Sequence, residues 1–143
     1  MYNYKIAIVI PCYKVKEKIL AVLSNIPNWI FKIICVDDCC PDNSGKFIKE
    51  NNTDPRVSVV FNTKNLGVGG ASLNGFAKAK DLGADILIKI DGDGQMDLSY
   101  LESFINPIVD NEADFVKGNR FTKFTDYTKM PFLRKLGNIF FSF

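Results

Sequence analysis

The chain of 143 residues has no histidine. That absence removes the commonest acid–base side chain at neutral pH and any zinc site completed by imidazole. Its four cysteines, Cys12, Cys35, Cys39 and Cys40, lack paired Cys-x-x-Cys spacing, so neither a zinc site nor a disulfide framework is expected. Cys12 and Cys35 read instead as small core residues near strand ends. Long apolar runs are missing as well: none reaches the roughly 18 residues of a membrane span. The stretch from Lys5 to Pro11 is too short for a secretory signal and lacks a small-residue cleavage site. A cytoplasmic chain is expected. There is no internal repeat, low-complexity tract or linker.

With 47% hydrophobic and 24% charged residues, the chain suits one globular domain able to bury a substantial core. The net charge of +2 hides an asymmetry. Met1 to Val116 carries 12 basic and 15 acidic residues, whereas the rest carries Lys117, Arg120, Lys123, Lys129, Arg134 and Lys135 against Asp126 alone. The basic end should meet something anionic; a nucleic-acid polymer is not expected among the partners.

Short β-branched runs predict strands over Lys5 to Ile10, Ile33 to Val36, Val57 to Phe61 and Ile86 to Ile90, with a fifth over Phe115 to Lys117. Because the runs are continuous and not alternating, the strands should be buried on both faces. Helical spacing falls between them, over Lys16 to Ser24, Ser44 to Asn51, Gly69 to Leu82 and Leu98 to Asn111. Asp97 is the expected N-cap of the last helix and Pro107 its expected kink. This alternation predicts an α/β fold, a Rossmann-like and mostly parallel sheet flanked by helices. Ligands should then bind outside the carboxyl ends of the strands.

Polar residues gather at those ends: Pro11, Cys12 and Tyr13; Asp37 and Asp38; the stretch NTKNLGVGG; and Asp91-Gly92-Asp93-Gly94. Taken alone, the last is as readily a solvated loop. Its place after a strand changes the reading, because residues two apart project the same way and can share one cation. Carboxylate and diphosphate oxygens suit Mg²⁺ or Mn²⁺, and the glycines let backbone and ligand approach closely. Asp37 and Asp38 can accept from a base N–H or ribose hydroxyls, while Tyr13 can pack on the base. Together these residues describe a nucleoside-diphosphate pocket.

In order along the chain, VIPCY, VDDCCPD, NLGVGGASLNG, DGDGQ and KGNRF resemble the motifs of family 2 glycosyltransferases. The likeness is greatest to the branch of dolichol-phosphate mannose synthase, which transfers sugars from nucleotide-sugar donors to polyprenyl phosphates. It implies the GT-A fold over 1–143, as an incomplete nucleotide-sugar-binding domain truncated at its C-terminus. It also implies a UDP- or GDP-sugar donor, a polyprenyl-phosphate or saccharide acceptor, a role in cell-envelope or polysaccharide biosynthesis, and a full-length protein at the cytoplasmic membrane. By this resemblance Pro11, Tyr13 and Asp37 line the base and ribose site with Asp38 in support. Asp91 and Gly92 meet ribose or diphosphate, Asp93 ligates the metal, and Arg120 faces sugar or phosphates. Asp91, Asp93 and Arg120 form the implied catalytic set. The chain departs from the family where Asn-Glu often follows the tyrosine and Gly-Ser the paired aspartates; here stand Lys14-Val15 and Cys39-Cys40.

Two other readings remain open at this stage. Gly67, Gly69 and Ser72 approximate the dinucleotide fingerprint of an NAD-dependent oxidoreductase, without its third glycine. A fragment that binds nucleotide sugar without catalysis would carry the same pocket. Finally, Phe132, Leu133, Leu136, Ile139, Phe140 and Phe143 form a helical stripe within 129–143, beside Lys129, Arg134 and Lys135. The stripe is either core or an interfacial amphipathic helix on a membrane surface.

Overall fold

The computed structural model of the chain describes residues 3–118. It divides into two compact units, Met1–Leu98 and Ser99–Phe143. The first unit is built on four parallel strands, β1 (Ile6–Cys12), β2 (Lys32–Asp37), β3 (Val57–Phe61) and β4 (Ile86–Lys89), in the order β3-β2-β1-β4. β1 lies between two partners, with Ala7 opposite Lys32 and Leu87. Its residues Ala7 to Ile10 are wholly buried, which is why that run is apolar on both faces.

Three helices cover the sheet: α1 (Ile19–Ser24), α2 (Ser44–Asn51) and α3 (Gly67–Asp81). α3 packs on the face carrying Ala7, Val9, Ile34 and Val36, through Ala71 and Ala79. Its approach is close because Gly75 has no side chain; a Cβ there would fall 2.2 Å from Val9 Cγ1. By strand alternation the opposite face presents Ile6, Ile8 and Ile10. Ile10 and Ile19 of α1 meet around Gly92 on that side.

The helices differ at their ends from the sequence spacing. The Val15 carbonyl accepts from both Lys18 and Ile19 N–H, so a tight turn takes up 15–18 and α1 starts only at Ile19. α3 starts at Gly67, two residues before the first expected position.

A 3-10 turn, Leu98–Tyr100, leads out of the first unit, and α4 (Leu101–Val109) follows it in the second. That turn stands where a cap would, so Asp97 is not the N-cap; Tyr100 takes the position with no side-chain cap bond. α4 contains Pro107 and stops two residues later, where Glu112 and Ala113 N–H both donate to the Pro107 carbonyl. The fifth strand does not form: residues 115–117 are irregular and Phe115 is 78% exposed. No strand among the described residues pairs with that segment, and without a partner its β-branched pattern has no ladder to join. No described helix is long and apolar enough to cross a membrane.

Candidate nucleotide-sugar site

Chain connections leave β1 toward β2 on one side while β4 pairs on the other, so the order of strand addition reverses between β1 and β4. Ligands of parallel α/β sheets collect at such a point. A cleft of about 340 Å³ opens there. Pro11, Cys12, Tyr13 and Val15 line it from the end of β1, Asp38 from beyond β2, Asn65, Gly67 and Val68 from the entry to α3, and Asp91, Gly92 and Asp93 from beyond β4.

Of the paired aspartates, Asp38 lines this cleft and Asp37 does not. Asp38 Oδ1 accepts from the Leu66 N–H at 2.9 Å and from Asn62 Nδ2 at 2.7 Å, fixing the turn into α3. Asp37 turns to the α2 side, where its two oxygens accept from the backbone N–H of Cys40 (2.8 Å) and Gly45 (2.6 Å). A Cβ on Gly45 would sit 2.6 Å from Asp37 Cβ, so glycine is what admits this approach. Both carboxylates are almost wholly buried, at 5% and 3% exposure.

Asp91 and Asp93 stand two residues apart in the turn beyond β4. Asp91 Oδ1 pairs with Lys89 Nζ, and the Asp91 N–H donates to Met96 Sδ at 3.3 Å. Asp93 Oδ1 accepts from the Gln95 N–H at 3.0 Å, closing the turn. Gly92 faces the core, where a Cβ would meet Ile10 Cγ2 and Ile19 Cδ1 at 3.3 Å. Lys89 was not among the residues singled out from sequence. Its signal is period two: it lies two before Asp91 and shares its face.

Tyr13 is 45% exposed at the mouth of the cleft. The loop that follows also walls a second hollow of about 530 Å³, lined by Lys14, Lys16 and Lys18 against Glu17, Asp42 and Asp93, with Val15 and Asp93 common to both. Burial opposes ionisation of Asp42, but hydrogen bonds from the Cys40 thiol, the Ser44 hydroxyl and the Lys16 and Ser44 backbone hold its carboxyl below the usual range. Cys12 and Cys35 are buried core thiols. A hydrogen bond with Cys35, then burial, pushes Cys12 far above the ordinary thiol range, so it stays protonated and unreactive. Arg120 and residues 129–143 lie outside the described residues.

A divalent cation fits the chemistry here. Asp91 and Asp93 offer hard carboxylate oxygens on one cleft wall, as Mg²⁺ or Mn²⁺ requires. Among the described residues no group of three or more Cys, Asp or Glu is placed to hold a metal by itself. The rest of the coordination would come from ligand phosphates and water, the usual arrangement for Mg²⁺.

The glycine loop does not have the setting of a dinucleotide fingerprint. That fingerprint follows the first strand at the centre of the sheet, whereas Gly67 and Gly69 follow β3 at its edge.

Residues 7–142 match the family described as Glycosyl transferase family 2. The UDP-N-acetylglucosamine--dolichyl-phosphate N-acetylglucosaminyltransferase of Methanococcus voltae is 34% identical over 157 aligned residues, covering 100% of this chain and 62% of that protein. The dolichol-phosphate mannosyltransferase of Pyrococcus furiosus is 29% identical, covering 92% and 38%. The chain thus spans less than two thirds of the length of either relative. Among solved structures, the mannosyltransferase PcManGT from Pyrobaculum calidifontis, in complex with GDP-Man and Mn²⁺, superposes with a TM-score of 0.55 at 19% identity, covering 65% of this chain and 28% of that one. The fold is GT-A.

Proposed function

Since the chain belongs to glycosyl transferase family 2, we propose that the protein transfers a sugar from a UDP- or GDP-sugar to a polyprenyl-phosphate acceptor. The observation that carries this reading is the convergence of Tyr13, Asp38, Asp91 and Asp93, from three separate loops, on one cleft. Its volume of about 340 Å³ lies within the range of small-molecule sites. Tyr13 offers a ring to the base, and Asp38 an acceptor to a base N–H or ribose hydroxyl. Pro11 and Gly92 shape the walls.

Asp91 and Asp93 would hold Mg²⁺ or Mn²⁺ against the donor diphosphate. When bound, the cation acts as a Lewis acid toward the charge that develops on the leaving diphosphate. Lys89 holds the Asp91 carboxylate in place through their ion pair. Arg120 is the proposed cation toward sugar or phosphates from beyond the described residues.

The acceptor assignment rests on chemistry and on the relatives. A hydroxyl acceptor needs a general base within hydrogen-bond reach, and histidine, the commonest such side chain, is absent from this chain, which leaves a carboxylate to serve. A phosphate acceptor, by analogy with phosphoserine, has a second pKa of about 6 and is a nucleophile at neutral pH without one. Both named relatives carry dolichol-phosphate acceptors in their names. Such an acceptor lies in a membrane, which supports a protein that works at the cytoplasmic membrane surface.

Thermal shift with UDP-sugar, GDP-sugar and NAD, each in Mn²⁺ and in EDTA, tests the donor. Stabilisation by one nucleotide sugar that is larger in Mn²⁺ is the expected result; stabilisation by NAD alone would replace the reading with an oxidoreductase. Transfer of labelled sugar to polyprenyl phosphate by the full-length protein separates catalysis from mere binding.

A further inference from the structure

The loop that brings Tyr13 to the donor cleft is held by the loop beyond β2. Three consecutive backbone N–H groups each donate to a different side chain there. Lys14 N–H donates to Cys40 Sγ at 2.9 Å, Val15 N–H to Ser44 Oγ at 3.2 Å, and Lys16 N–H to Asp42 Oδ2 at 3.4 Å. The shortest of these falls next to Tyr13 and ends on sulfur. Lys14 also has φ +57, a left-handed conformation that a side chain such as lysine adopts only when its surroundings impose it.

Cys40 is itself fixed on both sides of that contact. Its N–H donates to Asp37 Oδ1 at 2.8 Å, and its thiol donates to Asp42 Oδ1 at 2.6 Å. The sulfur therefore accepts from one loop while donating within the other, and at 8% exposure little water is present to replace it. Asp37, which does not reach the cleft, is tied to Tyr13 through this residue.

We propose that Cys40 is a positioning residue for the donor: its thiol, accepting from Lys14 N–H and donating to Asp42, sets the place of Tyr13 at the mouth of the nucleotide cleft. The proposal rests on the donor reading above. What the position requires is a small group that can both donate and accept. Serine meets that requirement and alanine does not.

The test uses the full-length protein, with UDP and GDP titrated in Mn²⁺ and donor KM and kcat measured alongside. Cys40→Ala should weaken nucleotide binding on the order of tenfold, the loss of about one hydrogen bond. Donor KM should rise with it while kcat changes less, and Cys40→Ser should restore binding to within about threefold. In the Tyr13→Ala background, Cys40→Ala should cost nothing further, because both changes remove the same contact. Equal binding by wild type and Cys40→Ala would overturn the proposal, as would a Cys40→Ser variant no better than alanine. Loss of cooperative unfolding in Cys40→Ala would also overturn it, since the thiol would then be holding the fold and not the loop. If wild type binds neither nucleotide, the donor reading itself fails; if wild type binds and only these contrasts are missing, the fault lies with Cys40.

Discussion

Asp37 and Asp38 are neighbours in the chain and serve opposite faces of the sheet, Asp37 Oδ2 accepting from Gly45 N–H at the start of α2 and Asp38 Oδ1 from Leu66 N–H beside α3. Successive side chains leaving a strand point to opposite sides, so a pair of carboxylates can anchor two different loops. Only the one on the α3 side lines the cleft.

Exchange at these positions should therefore weigh differently on stability and on binding. Asp37→Ala leaves two buried amides, those of Cys40 and Gly45, without their acceptor and should cost about 2 to 5 kcal/mol of stability by urea denaturation. Asp38→Asn keeps an acceptor for Leu66 and should unfold closer to wild type while binding nucleotide more weakly. Equal destabilisation with equal loss of binding would remove the distinction.

At the metal-ligand positions, Asp93→Asn retains an oxygen for the Gln95 N–H and so the shape of the turn. Its melting temperature without ligand should match wild type, and the part of the nucleotide-induced shift that depends on Mn²⁺ should vanish. A shift that still differs between Mn²⁺ and EDTA would take Asp93 out of the metal site. Lys89→Met removes the cation paired with Asp91 and should change the Mn²⁺ concentration needed for half-maximal stabilisation.

Two glycines of α3 should respond with opposite sign. At Gly75 an added methyl would lie 2.2 Å from Val9 Cγ1 and 3.0 Å from Val36 Cγ2, so Gly75→Ala should destabilise by about 1 to 3 kcal/mol or more. At Gly69 nothing lies within 4 Å, and Gly69→Ala should stabilise by roughly 0.5 to 1 kcal/mol through helix propensity. Thermal or urea unfolding of both variants reads the contrast directly.

Asp42 carries an acid-side prediction. Its carboxyl is held below the ordinary value in the folded chain, so its contribution to stability is complete above the unfolded value of about 3.9 and is lost as pH falls through the lower folded one. The difference in melting temperature between wild type and Asp42→Asn should stay constant from neutral pH down to about 4 and close below it. Calorimetry across that range checks this, and a gap that persists at the acid end would contradict it.

Much of the scaffold was legible in the chain itself. The runs over β1 to β4 are continuous because strands inside a helix-covered sheet lose both faces to the core, and the polar residues that follow them mark the edge where ligands gather. DGDG beyond β4 and the aspartates at the end of β2 could be placed near one another on that ground alone. Local pattern did not reach the starts of α1 and α3, which fall at Ile19 and Gly67, nor that of α4, where a 3-10 segment stands in place of the expected cap, nor the segment 115–117, whose composition suits a strand that has no described partner.

Periodicity states which way a side chain points while the strand lasts, and beyond its end the direction depends on what the loop is bonded to. Lys14 is held by Cys40, 26 residues away, Val15 by Ser44, 29 away, and Leu66 by Asp38, 28 away. Those bonds decide how Leu66 is held against Asp38 at the cleft, that Lys14 takes a left-handed backbone, and that a cysteine joins two loops. The sequence alone determined the α/β alternation and the residue types available at the strand ends, because both follow from burial and short-range pattern. Tertiary structure decided the facing of each group, because hydrogen bonds between distant loops exist only once the sheet has brought those loops together.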